Sequence, residues 1–148
     1  MSSMLSISPR RNARILLVED DDGDAFLTER SLRSSPVPFD LVRVETGEEA
    51  LDFLADEDAP WPDLILLDLN LPGINGRDVL AHVKQDANMR RIPVVVLTSS
   101  KAENDILRSL NLHANTYMVK PGDPNIFDRM AVHLQGYWFE HAVLSSPA

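Results

Sequence analysis

The chain has 148 residues, which suffice for one ordinary globular domain and are too few for two. It contains no cysteine, which excludes disulfides, thiolate nucleophiles and Cys-ligated zinc, and no apolar run approaches the roughly 20 residues of a membrane span. A formal net charge of -9 disfavours non-specific binding to nucleic acid, whose phosphates require a surface rich in Lys and Arg. We therefore expect a cytoplasmic protein with one domain over 12–139, an N-terminal segment at 1–11 and a C-terminal tail at 140–148.

Short apolar runs alternate with helical patterns along the first half of the chain. Residues 14–18 form an unbroken apolar run, typical of a strand that is buried on both faces. Helical spacing follows up to the proline breaker at 36–38, and 41–44 is predicted as the second strand. Apolar residues spaced three and four apart predict a helix over 47–54, and 64–67 is predicted as the third strand.

The same alternation continues to the end of the chain. It predicts a helix after Gly76, a strand at 93–97, a helix marked by Ile106, Leu107 and Leu110, a strand at 116–119 and a last helix ending near residue 137. Strict alternation means parallel strands joined by right-handed crossovers. The predicted fold is α/β, a doubly wound five-stranded parallel sheet with helices on both faces, and its ligands should bind beyond the carboxyl ends of the strands.

Polar or charged side chains follow four of the five predicted strands: Glu19, Asp20, Asp68, Thr98 and Lys120. Each alone is commonly part of a solvated loop or a helix cap, but their joint placement at one edge of the sheet favours a site. Clustered carboxylates stay ionised only if a cation neutralises them. Oxygen ligands without His or Cys indicate Mg²⁺, with the Asn70 backbone carbonyl as a further ligand and with Mn²⁺ or Ca²⁺ able to replace it in a crystal.

Asp68 is the candidate nucleophile of this edge. With a metal bound, its carboxylate can attack a phosphorus atom in line and form an acyl phosphate. Lys120 is placed to neutralise the charge that develops on the phosphoryl oxygens, and Thr98 to donate its hydroxyl to one of them. Pro121 fixes the turn that aims Lys120, and the isomer of the Lys120–Pro121 bond is left open.

Four motifs together resemble the receiver domain of bacterial two-component response regulators: 18–21 (VEDD), 68–76 (DLNLPGING), 97–99 (LTS) and 117–121 (YMVKP). The resemblance covers roughly 14–137. It implies the strand order 2-1-3-4-5 and a switch in which Asp68 accepts phosphate from the phosphohistidine of a histidine kinase. Such a protein signals by conformational change and protein contact and catalyses only its own phosphorylation and dephosphorylation.

The resemblance also implies a role for each site residue. Asp20 ligates the metal directly, Glu19 acts through a water, the Asn70 carbonyl ligates, and Thr98 and Lys120 bind the phosphoryl group. Tyr117 matches the aromatic residue that moves inward as Thr98 turns toward the phosphate, so Thr98 and Tyr117 are the candidate switch. The alternative for Tyr117 is an ordinary core aromatic residue. Asp21 and Asp22 are expected to serve the local field or to cap the first helix.

Segments 23–26, 86–93 and 136–139 are similar to the small stand-alone regulators of phytochrome-type kinases. Tyr137, Trp138 and Phe139 form an aromatic cluster at the end of the last helix, and such residues are enriched at interfaces. We predict a homodimer through the fourth strand-helix unit, the fifth strand and the last helix. In the alternative interpretation, the three aromatic residues fold back over the sheet edge.

Three other functions are weighed against this one. A phosphohydrolase of the haloacid-dehalogenase kind would share the aspartyl nucleophile, but it needs a second Asp two residues on, where this chain has Asn70. A flavin-binding protein would need a phosphate cradle after the first strand, where Glu19 to Asp22 would repel phosphate. A degenerate receiver would lack acceptor residues that are present here.

Overall fold

The computed structural model describes residues 12–33, 38–71, 73–98, 102–103, 106, 110, 112–114 and 116–120. Strands and helices alternate among them in this order: β1 (Ala13–Val18), α1 (Asp22–Arg33), β2 (Phe39–Val44), α2 (Gly47–Ala55), β3 (Leu64–Asp68), α3 (Gly76–Gln85), a 3₁₀ turn (Met89–Arg91), β4 (Val94–Thr98) and β5 (Thr116–Val119). None of the helices in these ranges is long and apolar enough to cross a membrane.

The strands form one parallel sheet with the order β2-β1-β3-β4-β5. The predicted α/β fold and the order 2-1-3-4 of the first four strands are confirmed, and β5 pairs with β4 at the edge. The register of the paired strands decides which residues lie at the carboxyl edge of the sheet. Val18 lies opposite Leu67, so the next residues, Glu19 and Asp68, reach this edge at the same level.

Two hydrophobic clusters cover the two faces of the sheet, because successive strand residues point to opposite sides. Leu16 and Val18 point to the face covered by α2 and α3, whereas Ile15 and Leu17 point to the face covered by α1. All the described helices therefore fit the prediction of helices on both faces. Burial of each such aliphatic side chain contributes about 1.5–3 kcal/mol, which makes the sheet a firm base for the residues at its edge.

Local signals fix where the helices begin. Thr46 caps α2 by accepting the Glu49 N–H at 3.0 Å, and Asn75 caps α3 by accepting the Asp78 N–H at 3.1 Å. Gly76 lets α3 approach β3 closely, since a Cβ there would lie 2.5 Å from the Asp68 carbonyl oxygen. The turn that follows β3 and Asp68 therefore packs closely against the start of α3, which Asn75 caps.

Several predicted elements differ from the structure by one or two residues or lie outside its described part. β2 begins at Phe39 rather than at residue 41, because Phe39 and Asp40 already pair with β1. Of the predicted fourth helix, the described residues 102, 103, 106 and 110 are helical. The last helix, the aromatic cluster at 137–139, the Lys120–Pro121 bond and both terminal segments lie outside the described residues.

Candidate functional site

The ammonium group of Lys120 is the centre of the carboxyl edge. Its Nζ lies 2.6 Å from Glu19 Oε1, 2.9 Å from Asp68 Oδ2 and 2.9 Å from Asp24 Oδ2. The backbone N–H of Lys120 also donates to the Thr98 carbonyl at 2.7 Å, which ties the end of β5 to the end of β4. The lysine predicted from the sequence therefore does meet the predicted aspartate, and it binds two further carboxylates.

Asp68 is the last residue of β3 and is buried, with 4% of its surface exposed. One carboxylate oxygen, Oδ1, accepts the backbone N–H of Asn70 at 2.9 Å, and the other, Oδ2, accepts from Lys120. The side chain of Asn70 points to Glu103, 3.5 Å from each of its carboxylate oxygens. The carboxylate of Asp68 is thus held by one backbone donor and one ammonium group.

The pKa values of Glu19 and Asp68 are shifted in opposite directions. Burial, followed by the hydrogen bond with Asp68, raises the pKa of Glu19 to about 8, although Lys120 acts in the opposite direction. Burial also acts to raise the pKa of Asp68, but hydrogen bonds with Glu19, the Asn70 N–H and Lys120 outweigh it and hold that pKa below its usual value. Asp68 is therefore the more acidic of the two carboxyl groups.

Lys120 stays charged in this setting. Burial acts to lower its pKa, but the hydrogen bonds to Glu19, Asp68 and Asp24 outweigh that effect and raise the pKa above its usual value. The cation is therefore permanent at physiological pH.

The acidic residues at this edge fit a small divalent cation. Glu19, Asp20 and Asp68 each offer a carboxylate oxygen, and these atoms lie within 4.8 Å of one another. Glu19, Asp24 and Asp68 contact one ammonium group and Asp20 lies beside them, so the described part of the edge carries excess negative charge that a cation would offset. Carboxylate oxygens are the ligands that Mg²⁺, Mn²⁺ and Ca²⁺ accept.

The two candidate switch residues lie on neighbouring strands. Thr98 ends β4 and is fully buried, and Tyr117 is 8% exposed and packs in the cluster on the α2 and α3 face. This placement agrees with the interpretation of Tyr117 as a core aromatic residue. The switch role of Thr98 and Tyr117 stays a prediction.

Sequence reasoning missed two members of the site. It gave Asp24 no role, yet Asp24 binds Lys120 from the first turn of α1. It also missed Arg43, whose Nε donates to the Glu19 carbonyl at 3.0 Å and whose Nη1 lies 2.8 Å from Asp22. The available signal for Asp24 was its position just before the apolar residues of the predicted first helix, which becomes informative only once the start of α1 is known.

Asp21 has the capping role that was one of its two predicted roles. Its Oδ1 accepts the Asp24 N–H at 2.8 Å, and its carbonyl accepts the Ala25 N–H at 2.9 Å. Its own N–H lies 3.3 Å from Glu19 Oε2. Asp21 thus links the acid after β1 to the start of α1.

A doubly wound sheet with this carboxyl edge is the structure of a response regulator receiver domain. The model of that family matches residues 15–131, and the chain belongs to it. The response regulator Rcp1 of Synechocystis sp. is 41% identical over an alignment of 134 residues that covers 88% of this chain and 91% of Rcp1. The predicted function as a two-component response regulator is confirmed.

Solved structures agree with this assignment. The crystal structure of the Mn²⁺-bound form of Rcp1 has a TM-score of 0.76 and 41% identity, covering 86% of this chain and 95% of that chain. The structure of the phosphorylated cyanobacterial phytochrome response regulator RcpA has a TM-score of 0.78 and 40% identity, covering 93% of this chain and 98% of that one. Both likenesses extend over nearly the whole of the compared proteins.

Proposed function

We propose that Asp68 is the phosphate acceptor of this response regulator and that the donor is the phosphohistidine of a histidine kinase. The observation that carries the proposal is the contact of 2.9 Å between Asp68 Oδ2 and Lys120 Nζ at the carboxyl edge of the sheet. A buried carboxylate paired with a permanent cation is a nucleophile beside the group that can neutralise the incoming phosphoryl oxygens.

The transfer is a single in-line displacement. An oxygen of Asp68 forms a bond to phosphorus while the bond between phosphorus and the imidazole nitrogen of the kinase breaks. The imidazole leaves with the electron pair and takes up a proton from solvent. Because hydrogen bonds hold the pKa of Asp68 low, this residue enters the reaction ionised, and Lys120 stays charged throughout.

Glu19, Asp20 and Asp68, with the Asn70 carbonyl, are the proposed ligands of Mg²⁺. The proximity of the three carboxylates supports this set, as does the Mn²⁺-bound form of Rcp1. At these ligands a bound Mg²⁺ would offset the negative charge of the carboxylate and phosphoryl oxygens, as Mn²⁺ or Ca²⁺ would. The protein would then promote only its own phosphorylation and dephosphorylation.

The proposed partner is a phytochrome-type histidine kinase. Its support is the likeness to RcpA, which is a phytochrome response regulator, and to the bacteriophytochrome response regulator RtBRR at 39% identity and a TM-score of 0.73. We propose a receiver domain spanning 12–139 that works as a single-domain regulator. The extent of the family match and the 91% coverage of Rcp1 support both.

A homodimer through the fourth strand-helix unit, β5 and the last helix is also proposed. Ile106 and Leu110 are helical, lie four residues apart and are 60% and 47% exposed, so they present apolar surface next to this region. Tyr137, Trp138 and Phe139 are the proposed anchors on the last helix. Sedimentation with and without beryllofluoride tests the dimer, and a monomer at high micromolar concentration in both states would count against it.

Intact mass after incubation with Mg²⁺ and acetyl phosphate tests the acceptor. The wild type should gain one phosphoryl group in an adduct that is stable in acid and labile in base, and Asp68→Asn should gain none. Asp52→Asn changes an exposed acid on α2 and should behave as the wild type. An adduct that persists in Asp68→Asn would refute the assignment, and loss of the wild-type adduct on chelation would support the metal.

A further inference from the structure

Asp24 contacts the site but lies outside the carboxylate cluster that fits a metal. Its Oδ2 accepts from Lys120 Nζ at 2.9 Å, and its side chain is 42% exposed, whereas that of Lys120 is 14% exposed. The metal-fitting cluster consists of Glu19, Asp20 and Asp68. Asp24 is therefore a partner of the lysine from a different element, the first turn of α1.

We propose that Asp24 is a positioning residue for phosphoryl transfer, which anchors the ammonium group of Lys120 to α1 beside Asp68. The inference rests on the proposed role of Asp68. Asp24 is the partner that Lys120 would keep when a cation occupies the acidic cluster and the phosphoryl group arrives.

Asp24 matters because the other carboxyl partners of Lys120 would also bind the cation. Without a cation, Lys120 contacts three carboxyl groups of the described residues, and two of them, those of Glu19 and Asp68, belong to the metal-fitting cluster. A divalent cation at this cluster would bind those two carboxyl groups and so weaken their hold on the ammonium group. Asp24 is not part of the metal-fitting cluster found among the described residues, so its charge would remain available to Lys120.

A lysine needs such an anchor because its ammonium group ends a flexible four-carbon chain. When Lys120 loses part of its hold on Glu19 and Asp68, the bond to Asp24 keeps Nζ within reach of the position that the phosphoryl oxygens will occupy. Misplacement of a reacting or stabilising group by about 1 Å can lower a rate by roughly 100-fold. Asp24 would thus act on the rate of transfer, with little effect on the nucleophile itself.

The start of α1 is built to hold Asp24 in place. Asp21 Oδ1 accepts the Asp24 N–H at 2.8 Å, and the Asp21 N–H lies 3.3 Å from Glu19 Oε2. The backbone of Asp24 is therefore connected to the acidic edge of the sheet through one capping residue. The short side chain of Asp24 can contact Lys120 because the Asp24 backbone is held next to the site.

The simpler interpretation is that Asp24 only interacts with the helix dipole, as acids in a first turn commonly do. Asp22 provides the matched control. It lies in the same first turn and carries the same charge, but its partner is Arg43 at 2.8 Å and its side chain is 89% exposed. A dipole effect would appear in both Asp22→Asn and Asp24→Asn, whereas the positioning effect would appear only in the latter.

Kinetics with acetyl phosphate and Mg²⁺ distinguish the two interpretations. We expect Asp24→Asn to lower the maximal rate of phosphorylation by about tenfold, with a much smaller change in the half-saturating acetyl phosphate concentration. Asp22→Asn should stay within about twofold of the wild type, and Asp24→Glu should recover most of the rate because it restores the carboxylate. Equal rates for Asp22→Asn and Asp24→Asn, or no recovery in Asp24→Glu, would overturn the proposal.

Nitrogen-15 spectra of the lysine ammonium groups give a readout that does not depend on activity. The chain has only three lysines, Lys84, Lys101 and Lys120, so the signals can be assigned by substitution. The Lys120 signal should persist in the wild type saturated with Mg²⁺ and broaden or vanish in Asp24→Asn. Loss of this signal in the wild type itself on Mg²⁺ saturation would overturn the proposal, whatever the stability of the variants.

The two proposals fail in different ways. If the wild type forms no adduct at Asp68, the proposed function is wrong. If the adduct forms and Asp24→Asn forms it at the wild-type rate, the acceptor assignment stands and the positioning role of Asp24 is wrong.

Discussion

Lys120 Nζ and Asp68 Oδ2 lie 2.9 Å apart at the carboxyl edge of the sheet, although the two residues are separated by 52 positions in the sequence. The parallel sheet makes this contact possible, because β3 and β5 flank β4 and end at the same edge. The backbone bond from the Lys120 N–H to the Thr98 carbonyl then fixes where the lysine leaves the sheet. This pairing, together with the hydrogen bonds from Glu19 and the Asn70 N–H, keeps the pKa of Asp68 below its usual value.

Replacement of Lys120 should slow phosphorylation strongly. We expect Lys120→Gln to reduce the rate with acetyl phosphate by about 100-fold or more, because a preorganised charge on the phosphoryl oxygens is lost. Intact mass over time measures this rate. Lys120→Arg keeps the charge in a different geometry and should recover only part of it. A rate for Lys120→Gln within a few-fold of the wild type would contradict the role of Lys120.

Stability without a divalent cation should fall as pH rises toward 8. Folded Glu19 keeps its proton up to a pKa of about 8, whereas an unfolded glutamate loses it near 4.5, so the folded state binds more protons between these values. The raised pKa of Lys120 affects stability at pH values above this window. The lowered pKa of Asp68 affects stability at the acidic end of the window and below it.

Urea unfolding midpoints at pH 5.5 and 8 measure this effect. The midpoint should decrease at the higher pH in chelator and change less in excess Mg²⁺, since the cation replaces the proton at the cluster. Glu19→Gln should remove most of the pH dependence. A urea midpoint that rises with pH in the presence of chelator would contradict the raised pKa of Glu19.

Gly76 should not tolerate a side chain. A Cβ would lie 2.5 Å from the Asp68 carbonyl oxygen and 2.6 Å from Leu69 Cα, and both are backbone atoms. We expect Gly76→Ala to destabilise the protein by about 1–3 kcal/mol in urea unfolding. Gly23→Ala is the comparison, because its Cβ would meet only the side-chain oxygen of Asp21 at 3.2 Å. Equal stabilities of the two variants would show that the close approach is unimportant.

The core of the sheet should be far more sensitive than its exposed edge. Leu66 is fully buried, so Leu66→Ala should cost about 2–5 kcal/mol. Val42 lies on β2 and is 42% exposed, so Val42→Ala should cost less than about 1 kcal/mol. Denaturant unfolding measures both. A similar loss in the two variants would mean that the assignment of the core is wrong.

The sequence predicted the architecture because its signals are local. Unbroken aliphatic runs such as 14–18 and 64–67 require burial on both faces, and their regular alternation with helical patterns leaves a parallel sheet as the compatible arrangement. The same topology brings Asp68 and Lys120 to one edge without knowledge of any distance. Strand ends were less predictable, since Phe39 and Asp40 join β2 only through pairing with β1.

The sequence by itself thus determined the order of the elements, the family and most of the residues that meet at the carboxyl edge, since chain order and residue type specify these directly. Only the tertiary structure decided how charge is divided there. Among the described residues, three carboxyl groups, on β3, on α1 and after β1, compete for one ammonium group. Burial raises the pKa of Glu19, whereas hydrogen bonds outweigh burial and lower the pKa of Asp68. The contact of Asp24 with Lys120 depends on where α1 begins and how it packs, because side chains 96 positions apart meet only after both elements dock on the sheet.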